Sequence, residues 1–271
     1  MKRTILAVCI IFVVAACKTN PKTKISLNTA QTHAGQMEAM FPKAKADIKT
    51  VGILLYDNYS IIDAMGPFQV FSDLMNAKVF FVGRHRGIIT TAGGMKVQCD
   101  SSIQDVKHLD ILVIPGGLKE TYMASKDTTL LNWIKAIDLH SKYTTSVCTG
   151  AWILAATGLL KNKDATTHWY GKKILKDEFG INVKDERYVQ SGKYWTSAGV
   201  SAGIDMSLAL VNEIRGEDYT KLVMLDLEYD PKPPFKGGSE QNTDKDLVES
   251  ARAMYNNMMD TVLNPRNTSG K

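Results

Sequence analysis

Tyr143-Thr-Thr-Ser-Val-Cys148-Thr-Gly150-Ala-Trp-Ile-Leu154 is the stretch on which the reading of this chain turns. A β-branched run stops at a cysteine, and a helical apolar pattern begins two residues later. That order predicts a thiol on the turn between a buried strand and a helix N-terminus. The unpaired N–H groups and dipole of a helix N-terminus favour an anion. A thiol placed there is expected to ionise more readily and to act as a nucleophile. The segment is therefore one unit of an α/β fold, with Cys148 at its centre.

Working outward, short apolar runs alternate with amphipathic segments. Val51–Tyr56 reads as a parallel strand buried on both faces, Ala77–Val82 as a second strand and Leu109–Pro115 as the next buried one. Ile61–Met75, with Ser60 as its cap, and Thr128–His140 read as helices, and Gly158 ends the helix that begins at Gly150. Ile88–Val97 around Gly93-Gly94 and Val189–Thr196 around Gly192 read as hairpins. Ser201–Ile214, Tyr219–Glu228 and Asp244–Met259 read as further helices. Such alternation predicts a mostly parallel sheet covered on both faces, with its site beyond the carboxyl ends of the strands.

Three features fall at those ends: Asp63, Gly116-Gly117 and Cys148. Asp63 sits in the apolar stretch Ile61-Ile-Asp63-Ala-Met-Gly66-Pro67-Phe68, where a carboxyl group is costly without a partner. It reads either as a first-turn acid stabilised by a helix dipole or as a proton carrier whose pKa is raised by burial. Gly116 and Gly117 read either as a tight turn or as backbone donors for a developing negative charge. Thr149 offers a hydroxyl and an N–H beside the thiol. His168 reads either as an orienting group for Cys148 or as a packed ring. No His/Cys/Asp/Glu spacing resembles a metal site, and no phosphate loop is present.

The chain has 271 residues, 44% apolar and 23% charged, enough for a sizeable core. Removing Lys2 and Arg3 leaves 31 basic residues against 28 acidic ones, or +3. That balance, with scattered basic residues, argues against a nucleic-acid partner. Lys2-Arg3 followed by apolar Thr4–Ala16 reads as a targeting segment too short to span a bilayer comfortably. Its end, Val14-Ala15-Ala16-Cys17, resembles a bacterial lipobox, with an ordinary secretory signal as the alternative. The lipobox resemblance implies lipidation of Cys17 and a membrane anchor in the cell envelope. Lys18 after it resembles the pattern of outer-membrane lipoproteins. We expect residues 1–17 to be the signal, 18–47 a tether and 48–265 the folded domain. With Cys9 removed and Cys17 acylated, Cys99 and Cys148 remain, as free thiols or as a disulfide.

Five motifs then resemble the DJ-1/PfpI superfamily, and within it the isocyanide (isonitrile) hydratases. They are Ile62-Asp63-Ala-Met-Gly66-Pro67, Ile114-Pro115-Gly116-Gly117, Ser146-Val-Cys148-Thr149-Gly150-Ala151, Ala165-Thr-Thr-His168-Trp169 and Ala198-Gly199-Val-Ser-Ala-Gly203-Ile-Asp205. Glu228-Tyr-Asp-Pro-Lys-Pro-Pro234-Phe235 adds a distinctive tail. The resemblance implies a flavodoxin-like three-layer sandwich, similar to the class I glutamine amidotransferases, and usually a homodimer. It implies Cys148 as nucleophile, Asp63 as acid, Thr149 beside the nucleophile, backbone donors at Gly117 and Thr149, and no cofactor. The implied substrate is a small electrophile, an isocyanide hydrated to a formamide. Threonine at 149, where protease-like members carry histidine, speaks against a peptidase. A glyoxalase-like enzyme and a non-catalytic ligand-binding domain stay open as alternatives.

Overall fold

A computed structural model describes residues 36, 39–41 and 44–264. Cys9, Cys17 and most of the expected tether lie outside the described residues. Residues up to Met40 and those from Phe41 onward are separate units. In the first, Gln36, Ala39 and Met40 are helical; everything that follows concerns the second.

The chain enters its central sheet at β1 (Thr50–Leu55), crosses helix α1 (Ile61–Ser72) and returns as β2 (Lys78–Gly83). A hairpin of β3 (Gly87–Thr90) and β4 (Lys96–Cys99) follows, paired with Ile88 opposite Gln98. Next come β5 (Ser101–Ser102), β6 (Ile111–Ile114), α2 (Lys119–Ala124), α3 (Thr128–Asp138), β7 (Tyr143–Val147) and α4 (Gly150–Ala156). The rest is β8 (Asp164–Ala165), α5 (Lys172–Asp177), β9 (Asn182–Val183), β10 (Tyr188–Ser191), β11 (Tyr194–Ser197), α6 (Ala202–Arg215), α7 (Glu217–Asp226) and α8 (Lys245–Leu263).

Among the described residues the main sheet runs β10-β11-β7-β6-β1-β2-β5, parallel except for β10 against β11. Every residue of β6, and β1 from Val51 onward, is buried. Fully burying one Ile or Leu is worth about 1.5–3 kcal/mol, so these two strands anchor the core. Strand β7 is buried as well, although its middle is Thr144-Thr145-Ser146. Thr144 Oγ1 bonds the Asp138 carboxylate at 2.6 Å, and Thr145 Oγ1 donates to the Leu112 carbonyl at 3.1 Å. Those bonds remove much of the penalty of burying hydroxyls.

From β1 the sheet grows to one side through β2 and to the other through β6 and β7. The crevice at such a reversal is where doubly wound sheets bind ligands. Asp63, Gly116-Gly117 and Cys148 follow β1, β6 and β7 respectively, so all three reach that crevice. Helix α1 carries Pro67 and packs on α6 at Gly66, where a Cβ would lie 2.9 Å from Ile204. That close approach sets the angle at which Asp63 enters the site.

Candidate active site

Cys148 occupies the expected elbow, with φ of 57° between the end of β7 and the start of α4. Left-handed backbone at a non-glycine residue is uncommon and costs about 1–3 kcal/mol unless its surroundings hold it. Two hydrogen bonds do so. The Cys148 N–H donates to the Ser197 carbonyl at 3.1 Å, and Thr167 Oγ1 donates to the Cys148 carbonyl at 2.7 Å. Neither Ser197 nor Thr167 was legible as a site residue, because their contacts arise only when β11 and the loop after β8 close on β7. Cys99 and Cys148 are both free thiols.

Asp63, in the first turn of α1, is fully buried. Its Oδ2 accepts the Gly116 N–H at 3.0 Å, and its Oδ1 has no hydrogen-bond partner among the described residues. Burial pushes its pKa from 3.8 up to about 6, opposed by the Gly116 N–H, the Cys148 thiol and the Ser60 hydroxyl. Ser60 precedes α1 as expected, but its side chain caps no helix N–H. The first-turn and proton-carrier readings of Asp63 therefore describe one position.

The expectation for the thiol is reversed. Burial and then the neighbouring Asp63 carboxylate push the Cys148 pKa well above its usual value, against the Thr149 N–H. A helix of seven residues offers little dipole to offset that desolvation. At neutral pH the pair thus rests as a thiol beside a carboxylate, sharing one proton. The sulfur becomes nucleophilic as it passes its proton to Asp63.

The two glycines after β6 are engaged with the site's side chains. Gly116 gives its N–H to Asp63, and Gly117 gives its N–H to Thr149 Oγ1 at 3.1 Å, shared with the Leu118 N–H at 3.3 Å. Both amides therefore position side chains in this structure, as a tight turn after β6 would. At Gly116 a Cβ would stand 2.6 Å from Thr149 N and 3.0 Å from Cys148 Cβ, so the elbow and this loop require each other. Tyr56, just past β1, closes the floor by donating to the Pro115 carbonyl at 2.8 Å.

His168 stands apart. Its ring packs against Trp169 and Tyr255, with centroids 5.6 and 5.9 Å away, and its Nδ1 has no hydrogen-bond partner among the described residues. Burial, with Lys172 adding to it, brings its pKa down to about 4, so it is neutral at physiological pH. No hydrogen bond joins it to Cys148 among the described residues. Likewise, among the described residues no group of three or more His, Cys, Asp or Glu side chains is arranged to hold a metal ion.

The Asp63 shift has a measurable consequence. Between pH 3.8 and about 6 the folded protein retains a proton that the unfolded chain has released. Stability from this group is present below the lower value and lost as pH rises through the upper one. A shift of about two units is worth about 3 kcal/mol. Asp63→Asn is expected to be less active yet relatively more stable, its advantage growing by about 3 kcal/mol from about pH 4 to about pH 8. Urea unfolding of both proteins at the two pH values measures this, and a gap that stays constant refutes it.

A buried thiol on a left-handed strand–helix turn, facing a buried carboxyl group, defines a class of α/β proteins with a cysteine elbow. The chain belongs to the DJ-1/PfpI family, whose profile matches residues 49–213. It is 36% identical over 202 residues to isonitrile hydratase of Pseudomonas putida, covering 74% of this chain and 88% of that protein. It is 28% identical over 131 residues to the HTH-type transcriptional regulator CdhR of Pseudomonas aeruginosa, covering 48% of this chain and 38% of the regulator. The crystal structure of a ThiJ/PfpI family protein from Pseudomonas syringae superposes with a TM-score of 0.76 at 31% identity, covering 83% of this chain and 93% of the other.

Proposed function

We propose that the protein hydrates an isocyanide to an N-substituted formamide, with Cys148 as nucleophile and Asp63 as proton carrier. The observation that carries this reading is the buried pair, one thiol on a left-handed elbow and one carboxyl group, with burial raising the pKa of both. An isocyanide presents a terminal carbon that accepts a nucleophile and then needs a proton on that same atom. Cys148 Sγ attacks the carbon as the thiol proton passes to Asp63. Asp63 delivers that proton to the carbon, giving a thioimidate. Water adds across the C=N bond, its one proton going to nitrogen. The C–S bond breaks, the formamide leaves, and the second proton returns to the sulfur. The similarity to isonitrile hydratase supports the choice of substrate. Protein lacking residues 1–17 should convert an aryl isocyanide to its formamide. Consumption of methylglyoxal with no isocyanide turnover would replace this reading by a glyoxalase-like one.

Similarity to a transcriptional regulator favours a second reading, in which the domain binds a small ligand without turning it over. Tight ligand binding with no turnover of either substrate would establish it.

We also propose that Cys17 carries a lipid anchor that holds the domain in the bacterial cell envelope, as a homodimer. Among the described residues no helix is long and apolar enough to cross a membrane. Cys17→Ala should move the protein from the membrane to the soluble fraction, because the residual apolar segment is too short to anchor it. Membrane association that survives the substitution counts against the anchor.

A further inference from the structure

Helix α8 is 19 residues long, yet Met259 is its one buried residue. Leu247, Val248, Ala251, Met254 and Tyr255 recur at helical spacing and form one stripe, and that stripe faces a cavity of about 580 Å³. Leu247 and Met254 remain 61% and 53% exposed. An apolar stripe that lines a void forgoes the burial that normally holds an amphipathic helix in place. The opposite wall is His168, Trp169 and the Ala198–Ser201 turn. The cavity is of the size that takes a small organic molecule, about 300–1,000 Å³.

Cys148, Thr149 and Asp63 do not themselves line this cavity, but residues next to the supports of the elbow do. Thr167 and Ser197 hold the Cys148 carbonyl and N–H, and the next residues along the chain, His168 and Ala198, line the cavity. The cations of its lining are paired. Lys172 pairs with Asp185 and with Glu240 at 3.7 Å, Arg187 pairs with Asp205, and Arg252 pairs with Glu240 while lying 5.1 Å over the Trp169 ring. Both cations of the lining are thus engaged, which disfavours an anionic ligand. The same pairs tie the Ser239–Gln241 loop and α8 to the core, so the cavity is built into the fold.

We propose that this cavity receives the neutral, apolar organic substituent of the substrate, and that α8 sets which substituents are accepted. The inference rests on the hydratase reading for the identity of the reacting group. The neutral His168, with Nδ1 unpartnered among the described residues, leaves a polar atom for a hydrogen bond to a ligand beside the apolar stripe of α8, while the rest of the lining is mixed polar and apolar.

The test uses the fluorescent, product-like probe N-(2-naphthyl)formamide together with two isocyanides, cyclohexyl and methyl. Wild type should bind the probe, and Ala251→Trp, which fills the cavity, should weaken binding about tenfold or more. The ratio of kcat/KM for cyclohexyl over methyl isocyanide should fall by a similar factor. Met254→Lys, at a half-exposed position that tolerates a charge, repeats the test if the larger side chain prevents folding. Unchanged probe affinity and selectivity in these variants overturn the proposal, as does failure of wild type to bind the probe. Loss of a dimer on Ala251→Trp without probe binding by wild type would assign the stripe to a second copy of the chain. Cavity-dependent probe binding with no isocyanide turnover overturns the hydratase reading alone.

Discussion

The Cys148→Ala protein is expected to fold but to lose isocyanide turnover, with kcat/KM down by roughly 10⁴-fold or more. Alanine keeps the left-handed turn and both backbone bonds to Ser197 and Thr167, and it removes only the sulfur. Cys148→Ser should fare little better. Its hydroxyl is a far weaker acid than a thiol, and Asp63 cannot take its proton at comparable cost. In wild type the competent form holds one proton between the two groups. Activity should therefore fall on the acid side near about 6, where Asp63 becomes protonated, and on the alkaline side above the usual thiol range, as Cys148 ionises. These are properties of the pair, since each group shifts the other. Loss of the sulfur should also raise the Asp63 pKa further, because the thiol is one of the groups that lower it. Residual turnover above a few per cent in Cys148→Ala would place the chemistry on another residue.

The elements legible in the sequence were those whose burial imposes a pattern. Strands β1 and β6 lie deep in the sheet and show as apolar runs, β2 is apolar though only partly buried, and β7 shows as a β-branched run. Both hairpins announced themselves by glycine between alternating residues. The two-residue strands β5, β8 and β9 have no period to read, and α2 and α5, at six residues, complete fewer than two turns. Helix ends shifted for a related reason: α1 stops at Ser72 where the pattern ran on to Met75, and α8 continues to Leu263 past Met259. Within the site, Cys148 and Asp63 stood out because each is misplaced in its local context. The direction of the Cys148 shift was not legible, since it depends on total burial and on a carboxyl group 85 positions away in sequence. The partners of Gly116 and Gly117 were hidden for the same reason, being fixed where β6 lies between β1 and β7.

Gly150→Ala is expected to be the most damaging of the small substitutions at the elbow. Gly150 is the first residue of α4, and helix propensity alone predicts that alanine there would stabilise by up to about 1 kcal/mol. The packing predicts the opposite sign. A Cβ at Gly150 would lie 2.2 Å from the Ile114 carbonyl oxygen and 2.8 Å from that of Pro115. Both are backbone atoms at the end of β6, a strand paired with β1 on one side and β7 on the other. No side chain can swing away, so α4 must move off the sheet and take the Cys148 turn with it. Overpacking in a well-ordered core costs about 1–3 kcal/mol, and a clash with paired backbone belongs at the upper end or beyond. A displacement of about 1 Å at the sulfur would cost roughly 10²-fold in rate as well. Gly93→Ala supplies the comparison, because its nearest neighbour would be Thr91 Oγ1 at 3.9 Å and its φ is not in the left-handed region. That variant should unfold within about 0.5 kcal/mol of wild type. If Gly150→Ala matched it in urea unfolding and kept full activity, α4 would be free to shift without cost. The close seating of the elbow on β6 would then not be what holds Cys148 against Asp63.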